Sequence, residues 1–265
     1  MATMVTFQAH PDDECITCGG VMRSAADAGH RVVLVVATRG EHGEIVPGVL
    51  DEGETLAERR VKETHAAADV LGVARVEFLG YVDSGMVDTE TNGAAGSFWS
   101  ADVEEAAERL ADILREEDAE VLTCYDRIGG YGHPDHIQVH RVGRRAGEIA
   151  GTPRVYEATS NRDEFRRMVE MARQSGEEVP DLDSEAFGSP ESVLTTRVDV
   201  TPWLAAKREA MRAHRSQIAD DSFFLALPDD RFALAFGTEW FIRVDGDPAH
   251  REDTLFPAED SRREP

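Results

Sequence analysis

The sequence predicts an α/β protein with a mostly parallel sheet flanked by helices and a smaller C-terminal α+β extension. Over the first two-thirds of the chain, short apolar runs alternate with helical patterns, as expected for successive βαβ units. Most of these runs are continuously apolar, which is typical of strands that are buried on both faces. Together the two observations predict a Rossmann-like sheet.

Each predicted helix in this region begins or ends at a recognisable residue. Gly29 and Gly72 mark the ends of the first two helices, because glycine readily adopts the left-handed conformation that closes a helix. Pro134 suits the first turn of the fourth helix. The predicted strands span 4–9, 31–37, 75–79, 120–125 and 154–158, and the predicted helices span 15–28, 55–71, 102–117 and 134–148.

The alternation weakens after residue 158. We divide the chain into a Rossmann-like core at 1–160, an extension at 161–246 that packs on the core and is placed to cap the site, and a polar tail at 247–265, all within one structural domain. We expect the last residues of the tail, 257–265, to be mobile. In order, the extension contains a helix at 162–174, an acidic loop at 175–190, a strand at 193–200, a helix at 203–216 and a strand at 240–244.

Composition and charge exclude several classes of partner. The chain has 265 residues, with 28 Lys+Arg against 52 Asp+Glu and a formal charge of −24. Such a charge opposes binding to nucleic acid or to anionic membrane surfaces. No apolar run approaches the roughly 20 residues that span a bilayer, and three cysteines cannot all pair internally, which fits a reducing compartment. We expect a cytoplasmic protein that acts on a small molecule, as a monomer or as a homo-oligomer.

Polar residues are concentrated directly behind three of the predicted strands. The segments are AHPDDE (9–14), GYVDSGM (80–86) and GGYGHPDH (129–136). Ligands of parallel α/β sheets bind outside the carboxyl ends of the strands. We therefore expect these segments to meet at one edge of the sheet.

Two of these segments could supply metal ligands. His10, Asp13 and His136 offer two imidazoles and one carboxylate. A catalytic zinc ion usually keeps three protein ligands and one open position, whereas structural zinc is closed by four. Charge bunched behind an apolar strand also needs compensation, which a cation provides. The CxxC formed by Cys15 and Cys18 is the alternative metal or redox motif, but the chain lacks a second cysteine pair.

Five motifs, taken together, resemble those of the LmbE-like deacetylase family. This family includes the PIG-L de-N-acetylases of GlcNAc-phosphatidylinositol and the deacetylase and S-conjugate amidase of mycothiol metabolism. The resemblance covers residues 1–160 and returns at 207–217. The motifs are AHPDDE (9–14), CGG (18–20), DSGM (83–86), GYGHPDH (130–136) and AHRSQ (213–217).

The resemblance implies a role for each residue near the metal. His10, Asp13 and His136 would hold Zn²⁺, with Fe²⁺ as the alternative in the cell. Asp12 would be the general base that takes a proton from metal-activated water. His133 would be the cationic partner that stabilises the tetrahedral intermediate or protonates the leaving amine, and Tyr131 would reach the developing oxyanion.

Four further residues are assigned to the surroundings of the metal. By resemblance, Arg60 and Asp83 would hold the sugar, since an arginine donates to hydroxyl groups and a carboxylate accepts from them. Glu14 and Asp135 would orient the residues that bind the metal or substrate, with Asp135 directed at His133. The AHRSQ motif matches the family pattern without suggesting a mechanism.

The resemblance implies a zinc-dependent hydrolase that removes an acetyl group from an N-acetylated amino sugar of the GlcNAc type. An amidase that cleaves a larger acyl group, such as a mycothiol S-conjugate, and a natural-product tailoring deacetylase remain alternatives. A His-x-Asp pair with a distant histidine also matches the facial triad of non-haem iron oxygenases, but βαβ alternation disfavours that class. A sugar-binding module without catalysis would not need Asp12, His133 and Tyr131 around an open metal position.

Overall fold

Seven strands form one sheet, and its central strands are buried along nearly their whole length. The computed structural model describes residues 1–174 and 187–256. Every residue of the strand at Val121–Tyr125 is buried, which explains its continuously apolar pattern. The strands are β1 (Thr3–Gln8), β2 (Arg31–Val36), β3 (Arg75–Phe78), β4 (Val121–Tyr125), β5 (Arg154–Thr159), β6 (Thr196–Asp199) and β7 (Thr238–Arg243).

The sheet is mostly parallel, which confirms the predicted fold class. Its order is β3-β2-β1-β4-β5-β7-β6. The first five strands pair in parallel, whereas β7 runs antiparallel to both β5 and β6. The chain order reverses between β1 and β4, and the crevice outside their carboxyl ends is the usual ligand site of such sheets. Two of the polar segments, AHPDDE and GGYGHPDH, leave the sheet at this point.

Helices cover both faces of the sheet. The chain moves outward from β1 in opposite directions on its two sides, and right-handed crossovers therefore put α2 and α3 on one face and α4 and α6 on the other. The helices are α1 (Asp13–Thr17), α2 (Gly19–Asp27), α3 (Leu56–Leu71), α4 (Val103–Glu116), α5 (Gly129–Gly132), α6 (Pro134–Ala150), α7 (Arg162–Gln174), α8 (Leu204–Ala213), α9 (Phe223–Ala226) and α10 (Asp229–Phe236). None of these described helices has the length and apolar character needed to cross a bilayer.

The helix predicted at 15–28 is divided into α1 and α2 by a non-helical residue, Cys18, with φ of −132°. The new N-terminus is satisfied from the C-terminal part of the chain. The backbone N–H groups of Gly20 and Val21 donate to the Glu239 carboxylate at 2.8 and 2.9 Å. Lys207 binds the same carboxylate at 2.6 Å, and both side chains of this ion pair are almost completely buried. Residues 161–246 therefore complete the core through strand β7 and helix α8.

The C-terminal region differs from its prediction in several details. The strand expected at 193–200 is shorter, because a 3₁₀ turn at Glu191–Val193 precedes β6. The helix expected at 203–216 ends at Ala213, and α9 and α10 were not predicted. Of the expected acidic loop at 175–190, residues 175–186 lie outside the described residues, as do residues 257–265.

The described part of the predicted tail, 247–256, packs against the rest of the protein. Leu255 is buried, and the Phe256 ring stacks on His30 with centroids 4.0 Å apart. Glu252 accepts a hydrogen bond from the Tyr156 hydroxyl at 3.0 Å. Isolated apolar residues in a polar stretch make some of these contacts. The overall composition of the stretch does not reveal them.

The buried Lys207–Glu239 pair makes a prediction about stability. Lys207→Met leaves the Glu239 carboxylate buried without its cation, and we expect a loss of about 3 kcal/mol in the free energy of unfolding. Arg212→Met is the matched control, because the Arg212–Glu209 pair is exposed and should contribute less than about 1 kcal/mol. Urea denaturation of both variants measures the difference. Equal losses of unfolding free energy in the two variants would show that the buried Lys207–Glu239 pair contributes no more than an exposed pair.

Candidate metal centre and active site

Three histidines from the loops after β1 and β4 converge at the reversal point of the sheet. His10, His133 and His136 are all buried, and they offer ring nitrogens that lie within 4.8 Å of one another. The ring centroids of His10 and His136 are 5.3 Å apart. Their loops are more than 100 residues apart in the sequence, and the pairing of β1 with β4 brings them together.

Two carboxylates beside the His10 ring indicate which of its nitrogens carries the proton when the ring is neutral. Its Nε2 lies 3.2 Å from Asp135 Oδ2 and 3.4 Å from Asp83 Oδ1. A carboxylate oxygen accepts, so Nε2 carries the proton in the neutral ring. Nδ1 then offers its lone pair, and it lies 3.4 Å from Asp13 Oδ2.

The His136 ring is also oriented by a hydrogen bond from one of its nitrogens, here to the glycine-rich segment that precedes α6. Its Nδ1 donates to the Gly129 carbonyl at 3.1 Å. Its Nε2 is buried, has no hydrogen-bond partner among residues 1–174 and 187–256, and lies 3.4 Å from Asp13 Oδ2. Gly129 has φ of +63°, and a Cβ there would lie 2.5 Å from the His136 Cβ. Glycine is therefore required where the loop folds back onto this imidazole.

These contacts fit a divalent cation held by His10 Nδ1, His136 Nε2 and Asp13. Two lone pairs and one carboxylate oxygen face each other, which is unfavourable unless a cation lies between them. Nitrogen and oxygen donors suit zinc, and ligand histidines characteristically donate their second N–H to a carboxylate or a backbone carbonyl. Both rings have such a partner. The site therefore has a donor set and supporting hydrogen bonds that could hold a divalent metal ion.

The electrostatics of His10 and Asp13 also favour a cation at this site. Burial lowers the pKa of His10, but hydrogen bonds to Asp13, Asp135 and Asp83 outweigh it and raise the pKa well above its usual value. Burial raises the pKa of Asp13, but His136 and His10 outweigh it and hold the pKa well below its usual range. The site thus attracts positive charge. His10, Asp83 and Asp135 form a second group of donors.

The Asp135 carboxylate does not orient His133 as the sequence analysis expected. Its Oδ2 accepts from His10 Nε2 at 3.2 Å and from the Ser84 backbone N–H at 2.9 Å, and its Oδ1 accepts from the Ser84 hydroxyl. His133 is oriented by the backbone instead, because the Asp135 N–H donates to His133 Nδ1 at 3.1 Å. His133 is the N-cap of α6, so its position is set by the start of that helix.

The environment of His133 favours its uncharged form, whereas the resemblance implies a cation. Burial and the neighbouring imidazoles of His10 and His136 lower its pKa to about 4. Since Nδ1 accepts a hydrogen bond, the proton of the neutral ring is on Nε2. His133 therefore presents an N–H donor.

Asp12 lies between the metal ligands and helix α3. Burial raises its pKa to about 6, although the Arg60 guanidinium opposes the shift. Its φ is +104°, and a non-glycine residue in such a conformation costs of order 1–3 kcal/mol. Its backbone N–H donates to Glu14 Oε2 at 2.9 Å. A carboxylate with a pKa near neutrality is suited to accept a proton.

Arg60 and Asp83 stabilise the loops around the site. Arg60 is buried and donates to the Pro11 carbonyl, to the Gly40 carbonyl at 3.0 Å and to Asp12 Oδ1 at 3.3 Å. Asp83 accepts from the backbone N–H groups of His42 and Gly85. Burial raises the pKa of Asp83, but His10 and these N–H groups outweigh it and lower the pKa below its usual range. Their substrate-binding roles stay predictions.

Tyr131 stands at the opening of the site. About half of its side chain is exposed, at 49%, and its ring centroid lies 4.9 Å from that of His136. Asp126, which the sequence analysis did not identify, shapes this loop. Its Oδ1 accepts from the Gly130 N–H at 2.9 Å. Its Oδ2 accepts from the hydroxyl group of Thr159, at the end of β5, at 2.5 Å and from that of Ser189, in the extension, at 3.0 Å. The position of Asp126 directly after β4 is the feature of the sequence that could have identified it as a site residue.

The AHRSQ motif, which had no assigned mechanism, lies against the AHPDDE loop and helix α3. His214 Nε2 lies 2.6 Å from Glu14 Oε1, and both side chains are fully buried. Ser216 donates from its backbone and its hydroxyl to Glu63 at 2.9 and 2.6 Å. The sequence alone could not show these partners, because about 150 to 200 positions separate them from the motif.

Comparison with known proteins identifies relatives along the whole chain. The family model described as PIG-L, GlcNAc-PI de-N-acetylase, matches residues 5–147. A 1D-myo-inositol 2-acetamido-2-deoxy-alpha-D-glucopyranoside deacetylase from Acidothermus cellulolyticus is 40% identical over 98% of this chain and 92% of its own length. The protein of the same description from Nocardiopsis dassonvillei is 42% identical over 90% of this chain and 92% of its own length.

Solved structures show the same fold at lower identity. The N,N'-diacetylchitobiose deacetylase from Pyrococcus horikoshii aligns with a TM-score of 0.58 and 24% identity, covering 94% of this chain and 86% of its own. A 4-carboxy-2-hydroxymuconate hydratase from Pseudomonas putida aligns with a TM-score of 0.60 and 21% identity, covering 93% of this chain and 98% of its own. Because these two proteins catalyse different reactions, the shared fold does not determine the reaction.

The geometry makes a prediction about metal binding. His136→Ala removes the unpartnered Nε2, and we expect the affinity for Zn²⁺ to fall by more than about 100-fold, since losing even a residue that orients a ligand costs 10–100-fold. His140→Ala is the control, because His140 lies one turn further along α6 and contacts the Tyr125 carbonyl. Competition with a chelating indicator measures both affinities. Unchanged affinity in the His136 variant would remove it from the ligand set.

Proposed function

The chain belongs to the family of GlcNAc-PI de-N-acetylases (PIG-L), and from this membership we propose that it hydrolyses the N-acetyl group of an N-acetylglucosamine linked to inositol. The observation that carries the proposal is the identity of about 40%, over nine-tenths or more of the chain, to relatives described as deacetylases of that compound. The family resemblance, the α/β fold and the hydrolase class expected from the sequence are confirmed.

We infer that the metal is Zn²⁺, held by His10, Asp13 and His136. A zinc ion held there would polarise the acetyl carbonyl and lower the pKa of water. Asp135 and the Gly129 carbonyl keep the two imidazoles in the tautomers that direct Nδ1 of His10 and Nε2 of His136 at Asp13. Asp135 and the Gly129 carbonyl thus preorganise the proposed ligand set of His10, Asp13 and His136.

Asp12 is the proposed general base. Its pKa of about 6 leaves the carboxylate ionised at neutral pH while keeping it basic enough to accept a proton from the attacking water. Arg60 donates to Asp12 Oδ1 and to the preceding carbonyl, which limits the movement of the base. These two contacts give the buried Arg60 a role at the site that does not depend on substrate binding.

His133 and Tyr131 are the proposed donors to the substrate. An amide nitrogen leaves only when it is protonated, so an acid must lie near it. His133 presents its Nε2–H beside His10 and His136, with ring centroids 4.7 and 5.2 Å away. It would donate that hydrogen bond to the tetrahedral intermediate, while the proton that Asp12 takes from the attacking water would pass to the leaving nitrogen. The half-exposed Tyr131 hydroxyl would stabilise the oxyanion.

Substrate class and location follow from the same features. Asp83 and Arg60 line the loops beside the ligands and are the proposed contacts of the sugar. A formal charge of −24 favours a small, uncharged substrate over nucleic acid. Cys15, Cys18 and Cys124 are all free and buried, which supports a cytoplasmic location.

An amine-release assay tests the proposed reaction. We expect the purified protein with one equivalent of Zn²⁺ to release acetate and a primary amine in equal amounts from 1D-myo-inositol 2-acetamido-2-deoxy-α-D-glucopyranoside. Free N-acetylglucosamine and a thiol-conjugated, larger acyl substrate are the comparison compounds. Faster cleavage of the larger acyl group would favour the amidase, and no release from any of them would contradict the proposal.

The proposed base makes a separate prediction. Asp12→Asn keeps the shape of the side chain but cannot accept the proton, and we expect kcat to fall by about 10²–10⁴-fold with Zn²⁺ still bound. Glu44→Gln, at an exposed carboxylate on the loop after β2, is the matched control and should retain activity. Steady-state kinetics and elemental analysis of the same preparations provide the two measurements. An active Asp12→Asn enzyme would reassign the base.

A further inference from the structure

Asp12 has the least ordinary backbone of the described residues other than glycine. Over residues 1–174 and 187–256, only Asp12, Asp88 and Asp118 among these residues have positive φ. Asp88 and Asp118 are exposed and have φ of 67° and 46°, near the left-handed well that aspartate tolerates. Asp12, with φ of 104°, lies outside it. Such a conformation persists only when the surrounding contacts enforce it.

Contacts on both sides of Asp12 enforce this conformation. Its N–H donates to Glu14 Oε2 at 2.9 Å, and its carbonyl accepts from the Cys15 N–H at 3.2 Å. The preceding carbonyl, of Pro11, accepts from Arg60. Glu14 is the contact that itself needs support, because a fully buried carboxylate beside Asp12 and Asp13 is stable only when its remaining oxygen is satisfied.

His214 satisfies that oxygen. Its Nε2 lies 2.6 Å from Glu14 Oε1, with both side chains at 0% exposure. Because a carboxylate oxygen accepts, Nε2 is the donor. The contact spans 200 residues, from the end of α8 to the loop after β1.

The segment that carries His214 is itself rigidly held. The carbonyl of His214 accepts from the N–H groups of Gln217 and Ile218 at 3.0 and 2.8 Å. Ser216 binds Glu63 of α3, and Gln217 donates to the Glu44 carbonyl at 2.9 Å. The backbone that carries the imidazole is therefore held in place independently of Glu14.

We propose that His214 is a positioning residue for the reaction, which holds Glu14 so that Glu14 in turn keeps the backbone of Asp12 in its positive-φ conformation. The inference rests on the proposed role of Asp12 as the base. Without the His214 donor, Glu14 turns away from the Asp12 N–H, the strained backbone relaxes and the Asp12 carboxylate leaves its place. The C-terminal extension thus contributes to the active site through His214, which acts on Asp12 by way of Glu14.

A pair of amide substitutions separates this role from simple packing. In His214→Gln the side-chain NH₂ reaches the place of Nε2 and can donate to Glu14, whereas in His214→Asn it is one methylene short. We expect kcat to fall by about 10–100-fold in the Asn variant, because a displacement of about 1 Å can cost 10²-fold. KM should change by less than about twofold, and the Gln variant should recover most of the rate. Arg215→Ala, at the exposed neighbour in the same turn, is the control and should match the wild type.

A crystal structure of His214→Asn gives the readout that does not need activity. We expect the Asp12 N–H to Glu14 contact to be lost and φ of Asp12 to leave the positive range. Unchanged φ in this variant, or equal kcat in the Gln and Asn variants, would overturn the inference. If the wild type released no amine, the proposed function would fail, and the Asp12 backbone in the variant would still decide the positioning role.

Discussion

Two imidazoles and one carboxylate oxygen face each other in the crevice between β1 and β4 with their lone pairs directed inward. The second nitrogen of each imidazole is already bound, His10 to Asp135 and His136 to the Gly129 carbonyl. Asp13 Oδ2 lies 3.4 Å from the remaining nitrogen of each ring. A cation bound between these atoms makes the arrangement favourable in a buried site. The adjacent parallel strands, the glycine loop and the start of α6 are all required to produce it.

The residues around this centre are held by contacts from distant parts of the chain. Glu239, which is paired with Lys207, accepts from the N-terminus of α2, and His214 donates to Glu14. Asp126 joins the loop of Tyr131 to the hydroxyl groups of Thr159 and of Ser189 in the extension. The described residues of the extension therefore contribute to the site through hydrogen bonds to the residues around it. Buried carboxylates with fixed donors provide rigidity that exposed ion pairs lack.

Much of the fold followed from the sequence, because continuous apolar runs and glycine-terminated helices are local signals. The convergence of AHPDDE with GGYGHPDH also followed, since the carboxyl ends of parallel strands share one edge. The break at Cys18 could not be predicted, because its cause is Glu239, more than 200 positions away. The Asp135 carboxylate binds His10 instead of His133 for a similar reason, namely that strand pairing decides which ring it meets. Local patterns identify residue types, whereas packing decides their partners.

An anomalous diffraction measurement at the zinc absorption edge, on crystals of the protein grown with one equivalent of Zn²⁺, tests the metal centre most directly. The account predicts a single strong peak about 2.0–2.2 Å from His10 Nδ1, His136 Nε2 and an Asp13 carboxylate oxygen. A peak coordinated by His10 Nε2, Asp83 and Asp135, or no peak beside Asp13, would contradict it.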